Sequence, residues 1–175
     1  MELNMKMIVF SGLPGTGKSM LAESIAKYLR IPVFAKDWLE ASLLRSGLTF
    51  RGMENRLGIA GYDLLTTLAQ RQLMLNQSVI LDSVASTETI RDTWRQLSKQ
   101  FEADWRVIEC FCSDETLHRS RLQLRKRKIP GWHELKWSDI QKVKQYYAAW
   151  NEERLRLDIA NPFEENYAKA RAYCE

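Results

Sequence analysis

The sequence predicts an α/β protein with a parallel β-sheet that is covered by helices on both faces. Short apolar runs alternate with helical patterns along the chain, which is typical of repeated β-α-β units. One run, Ser78 to Asp82, is apolar without alternation, as expected for a strand buried on both faces of such a sheet. No repeat or linker divides the 175 residues, so we expect residues 1–175 to form a single domain.

The apolar runs predict five strands, over about residues 5–11, 32–35, 78–82, 105–111 and 155–159. Helices are predicted where apolar side chains recur with a period of 3.6 residues, as Leu21, Ile25 and Leu29 do. These patterns cover about residues 17–30, 38–46, 61–76, 87–101, 114–127, 137–150 and 162–173. Four glycines interrupt the polar stretch 47–61, which predicts a loop that carries Arg51 and Arg56; it could be a mobile segment that binds the acceptor or a surface loop.

The most specific feature is a phosphate-binding loop between the first strand and the first helix. Residues 12–19 read Gly-Leu-Pro-Gly-Thr-Gly-Lys-Ser and match G-x-x-x-x-G-K-[ST] at every fixed position. The glycines let successive N–H groups surround an anion, and the helix that follows adds its positive end. We therefore expect a nucleoside triphosphate to bind here. The expected contacts come from Gly12, Leu13, Pro14, Gly15, Thr16, Gly17, Lys18, Ser19 and Met20.

Within this motif, Lys18 is expected to reach the β- and γ-phosphates, and the Ser19 hydroxyl to ligate Mg²⁺. Asp82 ends the third strand and would lie beside the loop if that strand neighbours the first. A carboxylate there serves Mg²⁺ as the Walker B residue does. The alternative is an Asp82 that caps the next helix through the turn that follows.

Asp37 follows the second strand, at the edge of the sheet where ligands bind in open α/β folds. Its carboxylate could accept a hydrogen bond from an incoming hydroxyl group and act as a general base. It could equally cap a helix that starts at Trp38, and the two roles are compatible.

A basic segment, residues 119–128, contains six cationic side chains. On a helix, Arg121 and Arg125 share a face, and forked guanidinium groups suit the charge that spreads over a phosphoryl group in transfer. We predict a catalytic role for these two arginines and a solvated position for Lys126 and Lys128. A solvated basic face and a nucleic-acid backbone contact are the alternatives.

The composition indicates which kinds of ligand and which cellular compartment suit this chain. The net charge of +4 is compatible with anionic ligands, no stretch reaches the roughly 20 apolar residues of a membrane span, and the first residues do not read as a signal peptide. We therefore expect a cytoplasmic protein without membrane contacts. Trp132, His133 and Trp137 follow the basic segment; they could stack on a base or close over a ligand, and core packing is an equal alternative.

With these motifs in chain order, the sequence resembles the small P-loop kinases of the nucleoside-monophosphate-kinase-like fold. It is similar in particular to the predicted-kinase group that is related to polynucleotide kinase domains, zeta toxins and chloramphenicol phosphotransferase. Besides the phosphate loop, the resemblance rests on residues 61–65, 78–82, 121–125 and 157–162.

The resemblance implies a five-stranded sheet in the order 2-3-1-4-5, a lid over about residues 119–137 that carries the arginines, and ATP with Mg²⁺ as cofactors. It also implies that Asp37 faces the acceptor hydroxyl. Relatives often carry an arginine three or four residues after this aspartate, where Glu40 and Ala41 stand here.

The leading hypothesis is thus an ATP-dependent kinase acting on a hydroxyl of a small molecule or of a nucleic-acid end. A nucleotide-switched binding module and a nucleic-acid-binding protein that uses the basic segment are the alternatives. The sequence leaves the acceptor and the oligomeric state open.

Overall fold

The computed structural model describes residues 5–47 and 54–175. It contains a parallel sheet of five strands, β1 (Lys6–Ser11), β2 (Val33–Ala35), β3 (Val79–Asp82), β4 (Asp104–Phe111) and β5 (Leu155–Asp158). The strand order is β2-β3-β1-β4-β5, as the sequence resemblance implied. The helices are α1 (Lys18–Leu29), α2 (Lys36–Arg45), α3 (Glu54–Met74), α4 (Glu88–Gln100), α5 (Glu115–Leu124), α6 (Trp137–Tyr146) and α7 (Phe163–Cys174).

The sheet separates two apolar cores, because successive side chains of a strand point to opposite faces. On β1, Ile8 and Phe10 join the core formed with α1 and α7. Met7 and Val9 join the other core, formed with α3 and α4. All four side chains are fully buried, so the strand that leads into the phosphate loop is fixed from both sides.

The strand register places the candidate residues together. Phe10 of β1 lies beside Asp82 of β3, and Ala35 of β2 lies beside Asp82 on the other side. The carboxyl ends of β1, β2 and β3 therefore meet at one edge of the sheet. This edge carries the phosphate loop, Asp37 and Asp82.

Three helix boundaries differ from the sequence prediction by three residues or more, and one of them is the end of α6, at Tyr146 instead of residue 150. Helix α3 begins at Glu54, whereas a loop was predicted as far as Gly61; residues 48–53, with Arg51, lie outside the described residues. Gly58 and Gly61 lie within α3, where the Glu40 side chain of α2 packs against them. These glycines thus make room for a neighbouring helix, and the prediction that they mark a loop was wrong.

The third difference concerns α5, which ends at Leu124 instead of reaching residue 127. Arg125 has an extended backbone, with φ −70° and ψ 131°. Residues 125–136 form an irregular connection to α6, which we call the lid segment. Arg121 and Arg125 therefore do not share a helix face, and the prediction that they do is wrong.

A buried arginine holds the loop after β3 in place through hydrogen bonds. Arg91 of α4 has no exposed surface, and its guanidinium donates to the carbonyl oxygens of Ala85, Ala148 and Ala149 at 2.8 to 3.0 Å. It also stacks on Trp150, with 3.9 Å from the guanidinium carbon to the ring centroid. The loop after Asp82 is thus joined to the segment between α6 and β5. No helix in the described part of the chain is long and apolar enough to span a bilayer.

Candidate nucleotide-binding and phosphoryl-transfer site

The phosphate loop lies between β1 and α1, as predicted, and its glycines have the backbone angles that such a loop needs. Gly12, Gly15 and Gly17 have φ angles of 136°, 85° and 68°. A Cβ atom on Gly12 would overlap the carbonyl group of Cys110 in β4. The loop can therefore follow this path only with glycine at the first position.

Lys18 lies at the centre of the site. Its side chain is buried, and burial lowers its pKa from the ordinary value to about 8, although the nearby Asp82 carboxylate opposes the shift. A buried ammonium group is costly unless an anion compensates it. The position of Lys18 thus suits a bound polyphosphate.

Asp82 ends β3 directly beside the loop, as the strand order requires. Burial raises its pKa, and the charge of Lys18 and the neighbouring Ser19 hydroxyl oppose that rise. Its Oδ1 atom is buried without a hydrogen-bond partner in the described residues, and so is the Ser83 hydroxyl. Unpartnered oxygens of this kind fit a hydrated Mg²⁺ ion, for which Ser19 and Asp82 are the candidate ligands.

Asp37 lies in the first turn of α2, whose N-terminal cap is Ala35. The alternative in which Asp37 caps this helix is therefore wrong. Its carboxylate forms an ion pair with Arg127 of the lid segment, and the same guanidinium donates to the Ser19 hydroxyl at 3.3 Å. Arg127 thus links the candidate base to a candidate magnesium ligand.

Arg121 and Arg125, the two arginines predicted from the sequence, lie on different elements beside the phosphate loop. Arg121, on α5, donates to the carbonyl oxygen of Ile159. Arg125 is half-buried, and two of its guanidinium nitrogens have no partner among the described residues. Both line the cavity on the α7 side of the loop, and their catalytic role stays a prediction.

Arg127 is not among the site residues predicted from the sequence, because the basic segment was expected to be helical. Along an extended chain, side chains alternate, so residues 125 and 127 turn inward while residues 126 and 128 turn outward. The exposure of these residues follows this alternation, and Lys126 and Lys128 are exposed. Residues 125–128 are all cationic, so no sequence pattern singled out Arg127.

His118 of α5 is a second residue of this region that the sequence does not predict. Its buried ring contacts the phosphate loop, with 2.8 Å from Nε2 to the carbonyl oxygen of Pro14, and Trp137 packs edge-on against it at 5.2 Å between ring centroids. Burial lowers the pKa of His118. Because a carbonyl oxygen only accepts, the neutral ring carries its proton on Nε2. This contact ties α5 to the loop.

Two cavities flank the loop. The α7-side cavity has a volume of about 550 Å³ and extends from Lys18 and Ser19 to Asn161 and Phe163. The α2-side cavity has a volume of about 440 Å³ and contains Asp37 and Asp82. Among the described residues, Lys18 is the one that lines both cavities.

A family model described as an AAA domain matches residues 7–149, which is most of the chain. The chain belongs to the AAA domain family. Its fold is that of the small P-loop kinases, as three solved structures illustrate. A sugar kinase from Janibacter sp. HTCC2649 has 17% identity and a TM-score of 0.71, with 97% of this chain and 94% of that chain covered.

A gluconokinase from Sinorhizobium meliloti 1021 has 18% identity and a TM-score of 0.69, with 95% of this chain and 90% of that chain covered. The APS kinase of Mycobacterium tuberculosis in complex with AMPPNP and APS has 18% identity and a TM-score of 0.68, with 98% of both chains covered. No significant match is found among curated proteins.

Proposed function

We propose that this protein is an ATP-dependent kinase that transfers the γ-phosphoryl group to a hydroxyl group of an acceptor. The observation that carries the proposal is the arrangement of the two cavities around Lys18. The α7-side cavity would hold the nucleotide, with its phosphates at the loop, and the α2-side cavity would hold the acceptor. The kinase fold of the solved structures and the AMPPNP bound to one of them support this assignment.

In the proposed step, the bond between the γ-phosphorus and the β–γ bridging oxygen breaks, and a bond forms between phosphorus and the acceptor oxygen. The acceptor proton passes to the Asp37 carboxylate, and ADP leaves. Lys18, Arg125 and Arg127 neutralise the charge that spreads over the transferred group. Ser19 and Asp82 would hold Mg²⁺, which would supply positive charge against the phosphate oxygens.

Arg127 has a specific place in this mechanism. In the described structure its guanidinium reaches both Asp37 and Ser19, which are assigned to the acceptor and the nucleotide. A γ-phosphate at this position would compete for the guanidinium. Asp37 would then be released to accept the proton of the acceptor hydroxyl, so nucleotide binding would prepare the base.

The orientation of the basic segment argues against the nucleic-acid alternative. Arg125 and Arg127 turn toward the cleft, which leaves Lys126 and Lys128 exposed in the lid segment. A nucleic-acid backbone needs a row of outward cations, because affinity comes from the phosphates neutralised together. Three of the six cations, Arg121, Arg125 and Arg127, instead line the cavity beside the phosphate loop.

The test is an Asp37→Asn variant, assayed for phosphate transfer from labelled ATP across hydroxyl-bearing metabolites, antibiotics and oligonucleotide ends. We expect nucleotide affinity to be kept and the transfer rate to fall by about 10²-fold or more, because general-base catalysis contributes on this order. Asp63→Asn, on the exposed face of α3, is the matched control. Normal transfer by Asp37→Asn would disprove the assignment of the base.

A further inference from the structure

If the proposed function holds, the residues that line the α2-side cavity indicate the chemical class of the acceptor. Its volume of about 440 Å³ lies in the range of small-molecule sites. Its lining includes the carboxylates of Asp37 and Asp82 and the Ser83 hydroxyl, which has no hydrogen-bond partner among the described residues. Hydroxyl groups of a ligand would find both donors and acceptors there.

The charges of the described lining residues do not favour an anionic acceptor. Three carboxylates, those of Asp37, Glu40 and Asp82, line this cavity beside the ammonium groups of Lys18 and Lys36. Lys18 belongs to the phosphate loop. Lys36 is bound to Glu40 and lies 4.6 Å above the centroid of the Tyr62 ring, so its charge is already compensated. Glu40 is paired with Lys36 and Asp37 with Arg127, so a phosphate or carboxylate on the acceptor would find these cations engaged and would meet the Asp82 carboxylate.

Other residues in the lining of this cavity are apolar or aromatic. Ile59, Leu135 and Val143 contribute aliphatic side chains, and Tyr62 and Trp132 contribute rings. The Trp132 ring packs against His133 with 4.8 Å between centroids. Its indole nitrogen is buried without a hydrogen-bond partner in the described residues, so the N–H group remains available as a donor.

Trp132 is held in place by a tight turn. The backbone N–H of Trp132 donates to the carbonyl of Ile129 at 3.1 Å, and Gly131 has a φ angle of 77°. Proline followed by a glycine with positive φ is the signature of a type II turn. Arg45 of α2 donates to the carbonyl of Pro130, and Ile129 is buried. The indole is therefore presented by a turn that is anchored to α2.

We propose that the acceptor is an uncharged alcohol with a flat aromatic or apolar portion. The reacting hydroxyl lies at Asp37, and the flat portion packs against Trp132 and Tyr62. Trp132 sets the affinity for this portion and takes no part in the transfer itself. The α2-side cavity therefore discriminates both by charge and by ring contact.

The experiment uses pairs of acceptors that share the reacting hydroxyl and differ in charge. Thymidine is paired with thymidine 3′-monophosphate, and 4-nitrophenyl β-D-galactopyranoside with its 3-O-sulfate. Aryl glycosides and nucleosides of the same design extend the panel, and both transfer and direct binding by calorimetry are measured. We expect kcat/KM to be about tenfold higher or more for the uncharged member of a pair. An anionic group close to a carboxylate in a poorly solvated site is costly.

Two variants test the ring contact. Trp132→Leu keeps apolar volume and loses the aromatic face, and Trp132→Tyr keeps an aromatic face. We expect Trp132→Leu to raise KM for the aryl acceptors about fivefold with kcat nearly unchanged, and Trp132→Tyr to restore most of the loss. The affinity of both variants for AMPPNP should equal that of the parent protein, which shows that they are folded.

The proposal is overturned if the charged members are used as well as or better than the uncharged ones, or if Trp132→Leu leaves KM unchanged. It is also overturned if no uncharged member of the panel binds while ATP does. Failure of the proposed function is a different result, in which the parent protein binds no ATP or hydrolyses it without any transfer.

Discussion

At the scale of single residues, the burial of Lys18 has the largest chemical consequence. The ammonium group is removed from water, and its pKa falls to about 8 because burial outweighs the attraction of Asp82. In the ligand-free protein it is therefore charged at neutral pH and loses its proton when the pH rises above 8. A bound polyphosphate favours the charged form, so nucleotide affinity is linked to this proton.

This linkage predicts a pH dependence for nucleotide binding. Between about pH 7.5 and 8 the affinity for AMPPNP should change little, and above pH 8 it should fall roughly tenfold per pH unit. Isothermal titration calorimetry over this range measures the effect, and Lys18→Met should bind weakly without the same dependence. An affinity of the parent protein that stays constant up to about pH 9.5 would contradict the assigned role.

Arg127 gives a second prediction at this scale. Arg127→Met should lower the rate of phosphoryl transfer by about 10²-fold, because it removes a donor aimed at developing charge. The affinity for ADP should change much less, since ADP lacks the γ-phosphate. Lys126→Met is the matched control, because its side chain is the exposed neighbour in the same segment. Equal losses in both variants would indicate a general effect of charge.

The phosphate loop, Asp37 and Asp82 could be placed in one site from the sequence, because a fixed motif and two strand ends define their positions. The roles assigned to them stay predictions. Arg127 and His118 could not be found in this way. Arg127 enters the site because the chain leaves the helix at Leu124, and His118 enters because α5 packs against Pro14. Both depend on tertiary contacts that local patterns do not encode.

At the scale of elements, the strands were predicted closely and the helix ends less well. Strands of a parallel sheet are continuous apolar runs, so their limits are visible in the sequence. The residue at which a helix begins or ends depends on competition between helical hydrogen bonds and other contacts of the same residues. In α3, Gly58 and Gly61 suggested a loop, whereas the approach of Glu40 explains why glycine occurs inside the helix. The strand order came from the resemblance to small P-loop kinases and is confirmed by the pairing of the strands.

The contact between α4 and the loop after β3 leads to a prediction of stability. Arg91→Leu would leave the carbonyl groups of Ala85, Ala148 and Ala149 without their donor. We expect the free energy of unfolding to fall by about 3 kcal/mol, since unpaired buried polar groups are costly. Urea denaturation followed by circular dichroism measures this change. Arg71→Leu, on the exposed surface of α3, should change the same quantity by less than about 0.5 kcal/mol.

At the scale of the whole molecule, the two cavities lie on either side of the phosphate loop and share only part of their walls. The α7-side cavity uses α1, α5, the first residues of the lid segment, the loop after β5 and α7. The α2-side cavity uses α2, α3, the loop after β3 and the region from the later part of the lid segment to α6. The phosphate loop and the lid segment border both cavities.

This arrangement predicts that the nucleotide stabilises the whole fold. AMPPNP at about 100 times its Kd should raise the free energy of unfolding by about 2.7 kcal/mol, because it binds the folded state alone. A thermal shift of the parent protein measures this gain. Lys18→Ala at the same concentration should gain much less, and an equal gain in both proteins would place the nucleotide elsewhere.

The meeting of the two cavities at Lys18 has a consequence for how such a protein can diversify. Mutations in α2, α3 or the Trp132 turn can reshape the pocket for one reactant while the machinery for the other stays intact. New acceptor specificity can then be selected stepwise, without passing through a variant that no longer binds the nucleotide. Grafting those three segments from a homologue should likewise exchange acceptor preference and leave nucleotide affinity at its original value.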